Sequence, residues 1–195
     1  GIIGVFMALF GVNFSIYYYL MRRNWKACAV NSELRTYVAL MLGSSVIIAL
    51  NILPDYGHNF FTALRYSFFQ VSSVMTTTGF STANFDLWPQ LSRTILVVLM
   101  LIGASAGSTG GGIKVIRLQL LCKGMVREIR RTIHPRSVNT IKLDGHAVDE
   151  GMLSSVMSFF FVYIFVLLFS TLIVSLDGFS FETNLTAVIA TLSNI

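Results

Sequence analysis

Charge is what this sequence has least of. Nine acidic and fourteen basic residues amount to 12% of its 195 positions, too few to cover the surface of a water-soluble domain of this size. Hydrophobic residues reach 54% and mean hydropathy is +0.72, so a membrane protein is the expected class. Cysteine is scarce too. Cys28 and Cys122 are the only two, and both fall beside basic segments assigned below to the cytoplasmic side, where a structural disulfide is not expected. His58, His134 and His146 are scattered and form no cluster with cysteine, so metal-site spacing is absent. Paired carboxylates or a Ser–His–Asp set at one membrane depth are missing as well, which argues against a membrane-embedded enzyme. Residues 1–20 lack the basic start of a signal peptide.

The basic residues are strongly clustered. Four lie in 22–35 (Arg22, Arg23, Lys26, Arg35) and eight in 114–142 (Lys114, Arg117, Lys123, Arg127, Arg130, Arg131, Arg136, Lys142). Only Arg65 and Arg93 fall elsewhere. The positive-inside rule assigns both clusters to the cytoplasmic side. Flanking apolar segments set aside a nucleic-acid reading of the same patches.

Apolar runs at 1–20 and 34–53 have the ~20 residues needed to cross a bilayer, and Pro54-Asp55-Tyr56-Gly57 forms a turn after the second. Residues 59–75 are short and polar-flecked, with Arg65, Gln70, Ser72 and Ser73. Reading them as a re-entrant half-helix keeps every basic cluster inside. Residues 90–122 exceed one span, and five glycines within 103–112 predict a break, at roughly 1 kcal/mol of helix propensity each. Residues 123–146 read as a basic cytoplasmic loop turning at His134-Pro135-Arg136. Residues 147–176 read as an outward span whose aromatic stripe (Phe159, Phe160, Phe161, Tyr163, Phe165) faces lipid or neighbouring helices. Asp177-Gly178 turns the chain into a second short helix at 181–195. The first residue is not Met and the last lies within an apolar segment, so a piece of a longer polypeptide is expected.

Between these helices lies the polar strip Thr76-Thr77-Thr78-Gly79. At membrane depth such non-helical backbone is tolerated only when buried in protein or lining a watery path. Hydroxyl and carbonyl oxygens are ligands that replace a cation's hydration shell, and Gly79 can adopt positive φ to turn carbonyls inward. A polar interhelical turn is the plain alternative. Ser193-Asn194-Ile195 answers the strip at the end of a second helix–turn–short helix series, 147–195 against 34–80. For Gly103, Gly107, Gly110, Gly111 and Gly112 the readings are a mobile intramembrane loop or, for Gly103-xxx-Gly107, helix packing. GSTGGGIK fails the phosphate-loop pattern because Ile113 precedes Lys114 and no Ser or Thr follows it. Lys114 either anchors the loop or reaches toward the interface. Asp55, Asp86, Asp177 and Glu182 fall on the outer side, as cation-steering or simply solvated carboxylates. The sequon at Asn184 is read as a chance match.

MTTTGFSTANF, GASAGSTGGGIKVIRLQLL, HPRSVNTIKLDGHAV and FETNLTAVIATLSNI together resemble the Trk/Ktr/HKT superfamily of potassium transporters. The His-Pro-Arg loop is nearest to its bacterial Trk branch. The resemblance implies an all-α membrane protein of repeated helix–pore loop–helix units around one pore. Residues 1–21 would be the last helix of a second repeat and 34–122 the third repeat. Residues 123–146 would be the cytoplasmic loop and 147–195 the start of a fourth repeat, stopping within its filter. It further implies potassium translocation without a cofactor, through a filter of Thr76, Thr77, Thr78, Gly79, Ser193, Asn194 and Ile195. The gate would be the loop of Gly103, Gly107, Gly110, Gly111, Gly112 and Lys114. A multi-pass location in the bacterial inner membrane, a homodimer, lipid contacts and a cytoplasmic nucleotide-binding regulatory ring are implied as well. A sodium-conducting or mixed member of the superfamily stays open.

Overall fold

The computed structural model describes residues 1–134 and 140–195. Among them are helices α1 (Ile2–Phe10), α2 (Phe14–Met21), α3 (Trp25–Val30), α4 (Ser32–Asn51) and α5 (Phe60–Met75). They are followed by α6 (Gln90–Ile102), α7 (Val115–Ile133), the strands β1 (Lys142–Leu143) and β2 (His146–Ala147), α8 (Glu150–Val174) and α9 (Phe181–Ser193). Pro135 and Arg136 of the expected His-Pro-Arg turn lie outside the described residues.

Two helices, Ser32–Asn51 and Glu150–Asp177 with its final 3-10 turn, are long and apolar enough to cross a membrane. The pair α1 and α2 qualifies only jointly, bent by 96°. That corrects the single helix expected over 1–20. One local and one distant feature accompany the bend: Asn13 caps α2, its Oδ1 accepting from Ser15 N at 2.9 Å, and Gly11 is wedged between the Tyr37 hydroxyl and the Thr76 methyl.

The same series of elements occurs twice. Helix α4, capped by Asn31, runs into a 3-10 turn at Pro54–Tyr56 that ends in left-handed Gly57. Asn59 then caps α5 by accepting from Thr62 N. In parallel, α8 is capped by Asp149, a 3-10 turn at Ser175–Asp177 ends in left-handed Gly178, and Ser180 caps α9 by accepting from Thr183 N. Each N-cap satisfies an amide that the first helical turn leaves without a partner.

Helix α5 packs most extensively on α4, and also on α1 and α6. From Phe69 to Met75 it is buried throughout, including Ser72 and Ser73. The main core joins Tyr37, Ile48, Val71, Met75, Leu96 and Leu99, and a second cluster joins Tyr163, Leu167, Val188 and Ile189 to Ile113. On α8 the aromatic stripe divides. Tyr163 is buried whereas Phe161 and Phe165 are exposed, an apolar face suited to lipid or further protein.

Two expectations need correction in 123–147. Helix α7 continues to Ile133, so the first half of the expected loop is helical. The fold is also not purely helical, because β1 and β2 pair antiparallel as Lys142↔Ala147 and Leu143↔His146. Asp144 and Gly145 both have positive φ, 49° and 85°, as a two-residue hairpin turn requires. The hairpin tip docks on α4, where Asp144 Oδ1 accepts from Ser32 N at 2.8 Å.

Candidate functional site

Where α5 ends, the chain turns sharply. Thr77 has φ of 55° and Gly79 of 75°. The left-handed region is foreign to a β-branched residue and costs roughly 1–3 kcal/mol, a strain typical of functional positions. It is held by Thr77 N donating to Val74 O at 3.1 Å and Thr78 N to Ser73 O at 2.9 Å. The threonine hydroxyls are ordered as a chain. Thr76 Oγ1 donates to Ser72 O at 2.7 Å, and Thr78 Oγ1 lies 2.9 Å from Thr76 Oγ1. With Thr76's one proton used, Thr78 must donate to Thr76, which leaves the lone pairs of Thr78 turned outward.

Helix α9 ends in a related way. Asn194 is left-handed, with φ of 60°, and Ile195 N donates to Ala190 O at 3.0 Å. Ser193 is fully buried, with Oγ 3.3 Å from the Tyr163 hydroxyl. The two strips meet. A Cβ built on Gly79 would lie 3.6 Å from the Ile195 carbonyl carbon. Thr78, Gly79 and Asn194 are exposed at this meeting point. Neither strip holds a charged residue. Both short helices direct their C-terminal ends here, and those ends carry partial negative charge, which favours a cation.

Residues 103–114 form an irregular loop beneath both strips. The amide of Gly111 donates to Thr77 Oγ1 at 2.8 Å. Its Cα lies so close to the Ser193 carbonyl that any Cβ would collide with it. A Cβ on Gly110 would lie 2.8 Å from Ala104 Cβ and 3.3 Å from Thr76 O. Gly103 backs onto Gly111 and Gly112, while Gly107 faces Asn13. Lys114 Nζ donates to Gly110 O, so this side chain folds back onto the loop. The strip and loop residues selected from the sequence therefore lie close together, through Gly79 against Ile195 and Gly111 against Thr77 and Ser193.

Four further residues of this site escaped the sequence reading: Gly11, Asn13, Glu33 and Tyr37. Ser105 N donates to Gly11 O at 3.1 Å and Phe14 N to Gly107 O at 3.3 Å. Tyr37 OH donates to Ala8 O at 2.8 Å beside Gly11. The buried Glu33 accepts from Ala106 N at 2.6 Å. A lone acid opening a span, in a segment otherwise basic, is the signal that marks Glu33.

Features away from the strips are modest. Arg93 pairs with Glu182, joining α6 to α9; partly exposed pairs of this kind contribute about 0–1 kcal/mol. Asn184 is buried, with Nδ2 donating to Phe179 O, a poor position for glycosylation. Both cysteines are free thiols, and among the described residues no group of three His, Cys, Asp or Glu could hold a metal.

A family model described as TrkH, cation transport protein, matches residues 56–195. A Trk system potassium uptake protein TrkH from Salmonella typhimurium is 36% identical over 100% of this chain, which covers 41% of that protein. Its counterpart from Escherichia coli K12 is 35% identical, with the same coverage. In three dimensions the crystal structure of the potassium transporter TrkH from Vibrio parahaemolyticus matches with a TM-score of 0.87 and 32% identity, over 98% of this chain and 42% of that one. The chain thus spans about two-fifths of the length of these relatives.

Proposed function

The chain belongs to the TrkH family of cation transport proteins, membrane transporters rather than enzymes, and on that footing we propose that it carries part of a potassium path. In this reading Thr76, Thr77, Thr78 and Gly79 form one wall of a selectivity filter, and Ser193, Asn194 and Ile195 begin the next. Residues 34–122 act as one pore-forming repeat and 147–195 as the start of another. Residues 1–21 close the repeat before them.

One observation carries the reading. Two short helices end at a shared point, each through a left-handed residue, with Gly79 against Ile195 and no fixed charge between them. Potassium needs several oxygen ligands to offset its lost water, and carbonyls and hydroxyls supply them without an anion that would trap it. The C-terminal helix ends add a favourable field. The loop 103–114 acts as the gate, since it lies directly under both strips and contacts each through Gly111.

The remaining expectations follow from the same footing. The protein works in the bacterial inner membrane as a homodimer on a cytoplasmic nucleotide-binding ring. Exposed Arg130 and Arg131 on α7 offer that ring a cationic contact.

Rubidium uptake by the full-length protein, in cells lacking their own potassium transport, tests the filter. Gly79→Ser must place a side chain at φ of 75° and should reduce uptake and the preference for potassium over sodium. Unchanged flux and selectivity would remove residues 76–79 from the path.

A further inference from the structure

Glu33 is the one Asp, Glu, Lys or Arg that is buried among the described residues, at 3% exposure. It lies in the first turn of α4, next to the capping Asn31, whose Oδ1 accepts from Leu34 N at 2.8 Å. That end of the helix favours negative charge. The carboxylate is nevertheless turned away from its own helix. Oε1 accepts from Ala106 N at 2.6 Å, and Oε2 lies 3.5 Å from Asn13 Nδ2.

Both partners belong to the loop and its seat. Ala106 is in the loop; Asn13 is at the bend on which the loop rests through Ser105 N–Gly11 O and Phe14 N–Gly107 O. Four residues before the loop ends, the chain is gripped with opposite polarity, because Lys114 Nζ donates to Gly110 O. A carboxylate thus holds an amide in one half of the loop and an ammonium holds a carbonyl in the other.

We propose that Glu33 is a latch that holds the glycine-rich loop in its resting position under the strips. The proposal rests on reading that loop as the gate. Charge is what makes the contact a latch. An ionised acceptor bonds an amide about twice as strongly as a neutral one. If Ala106 moves away, the carboxylate stays buried with only the long contact to Asn13, an arrangement that is strongly disfavoured. Loop departure is therefore opposed by more than one ordinary hydrogen bond. Glu33 touches neither strip, so it positions the loop without contacting the ion.

The test is resting rubidium flux into liposomes holding the full-length protein with no partner added, alongside the potassium-to-sodium flux ratio. Glu33→Gln keeps shape and one acceptor oxygen but loses the charge; it should raise resting flux severalfold. Glu33→Ala should raise it about tenfold or more, with the ion ratio of both variants at the parental value. Glu33→Gln also serves as the decisive variant if Glu33→Ala does not fold. Parental or lowered flux in Glu33→Gln overturns the latch, as does raised flux with a lost ion ratio, which would make Glu33 a support of the filter. A shortened loop lacking residues 106–110 separates the two ideas. If shortening leaves resting flux unchanged, the gate reading itself falls; if shortening raises flux and Glu33→Gln does not, only the latch falls.

Discussion

The amide of Gly111 donates to the side-chain oxygen of Thr77 across 2.8 Å, tying the loop to the end of α5. Thr77 is held in a left-handed conformation at the same time. The loop and the strip therefore cannot be positioned independently of one another.

Thr77→Val removes the acceptor while keeping a β-branched side chain of the same shape. The Gly111 amide is then left without its partner, which disfavours the resting loop by roughly 1–3 kcal/mol. Resting rubidium flux in liposomes should rise about fivefold or more, whereas Thr77→Ser, which keeps the oxygen, should stay near the parental value. Equal flux in the two variants would show that the hydroxyl does not hold the loop.

The second contact of Gly111 is steric. A methyl there meets the Ser193 carbonyl, fixed backbone in the last turn of α9. At Gly107 the nearest atom is 3.3 Å away and sits on the Asn13 side chain, which can shift by a few tenths of an ångström. Gly111→Ala should therefore unseat the loop and raise resting flux well above Gly107→Ala, whose remaining penalty is the roughly 1–2 kcal/mol of placing alanine at positive φ. The same flux assay gives the order, and a larger effect from Gly107→Ala would contradict it.

Much of this arrangement can be read from residue order alone, and the reasons for the rest are physical. Spans α4 and α8 follow from apolar length, and the interruption after α6 follows from glycine density. The bend at Gly11–Asn13 hides inside a predominantly apolar run, because beside the local Asn13 cap it involves the approach of Tyr37 and Thr76 from distant positions. Charge alone reads 123–146 as a loop, yet α7 carries on from the preceding segment, with Leu120 and Gly124 four residues apart and both packed toward Leu153. The Asp144-Gly145 pair was a legible hairpin signal. Glu33 has no such signature beyond its isolation, since its partners come from residues 13 and 106.

The hydroxyl order at the strip leads to a separate expectation. Thr78 donates inward to Thr76, so its lone pairs are what it can offer a cation. Thr78→Ser preserves this and should keep potassium uptake near parental. Thr78→Val removes the oxygen and should raise the potassium concentration needed for half-maximal rubidium uptake by about fivefold or more, the loss of one ordinary polar contact. Identical uptake curves for the two variants would exclude the side chain from the path.

Ser193 and Tyr163 share a buried contact that should respond asymmetrically to deletion. Ser193→Ala leaves the Tyr163 hydroxyl buried on α8 with its partner gone, at roughly 1–3 kcal/mol. Tyr163→Phe leaves the Ser193 hydroxyl in the final turn of α9, where a serine can turn back to a carbonyl one turn earlier. Thr191 in the same turn already does so, donating to Ala187 O at 3.0 Å. Ser193→Ala should consequently lower the melting temperature of the detergent-solubilised full-length protein by more than Tyr163→Phe. The double variant should be no worse than Ser193→Ala, because the orphaned hydroxyl is gone. A Tyr163→Phe protein that melts at or below Ser193→Ala would mean that ring packing, not this hydrogen bond, fastens the second strip to its span.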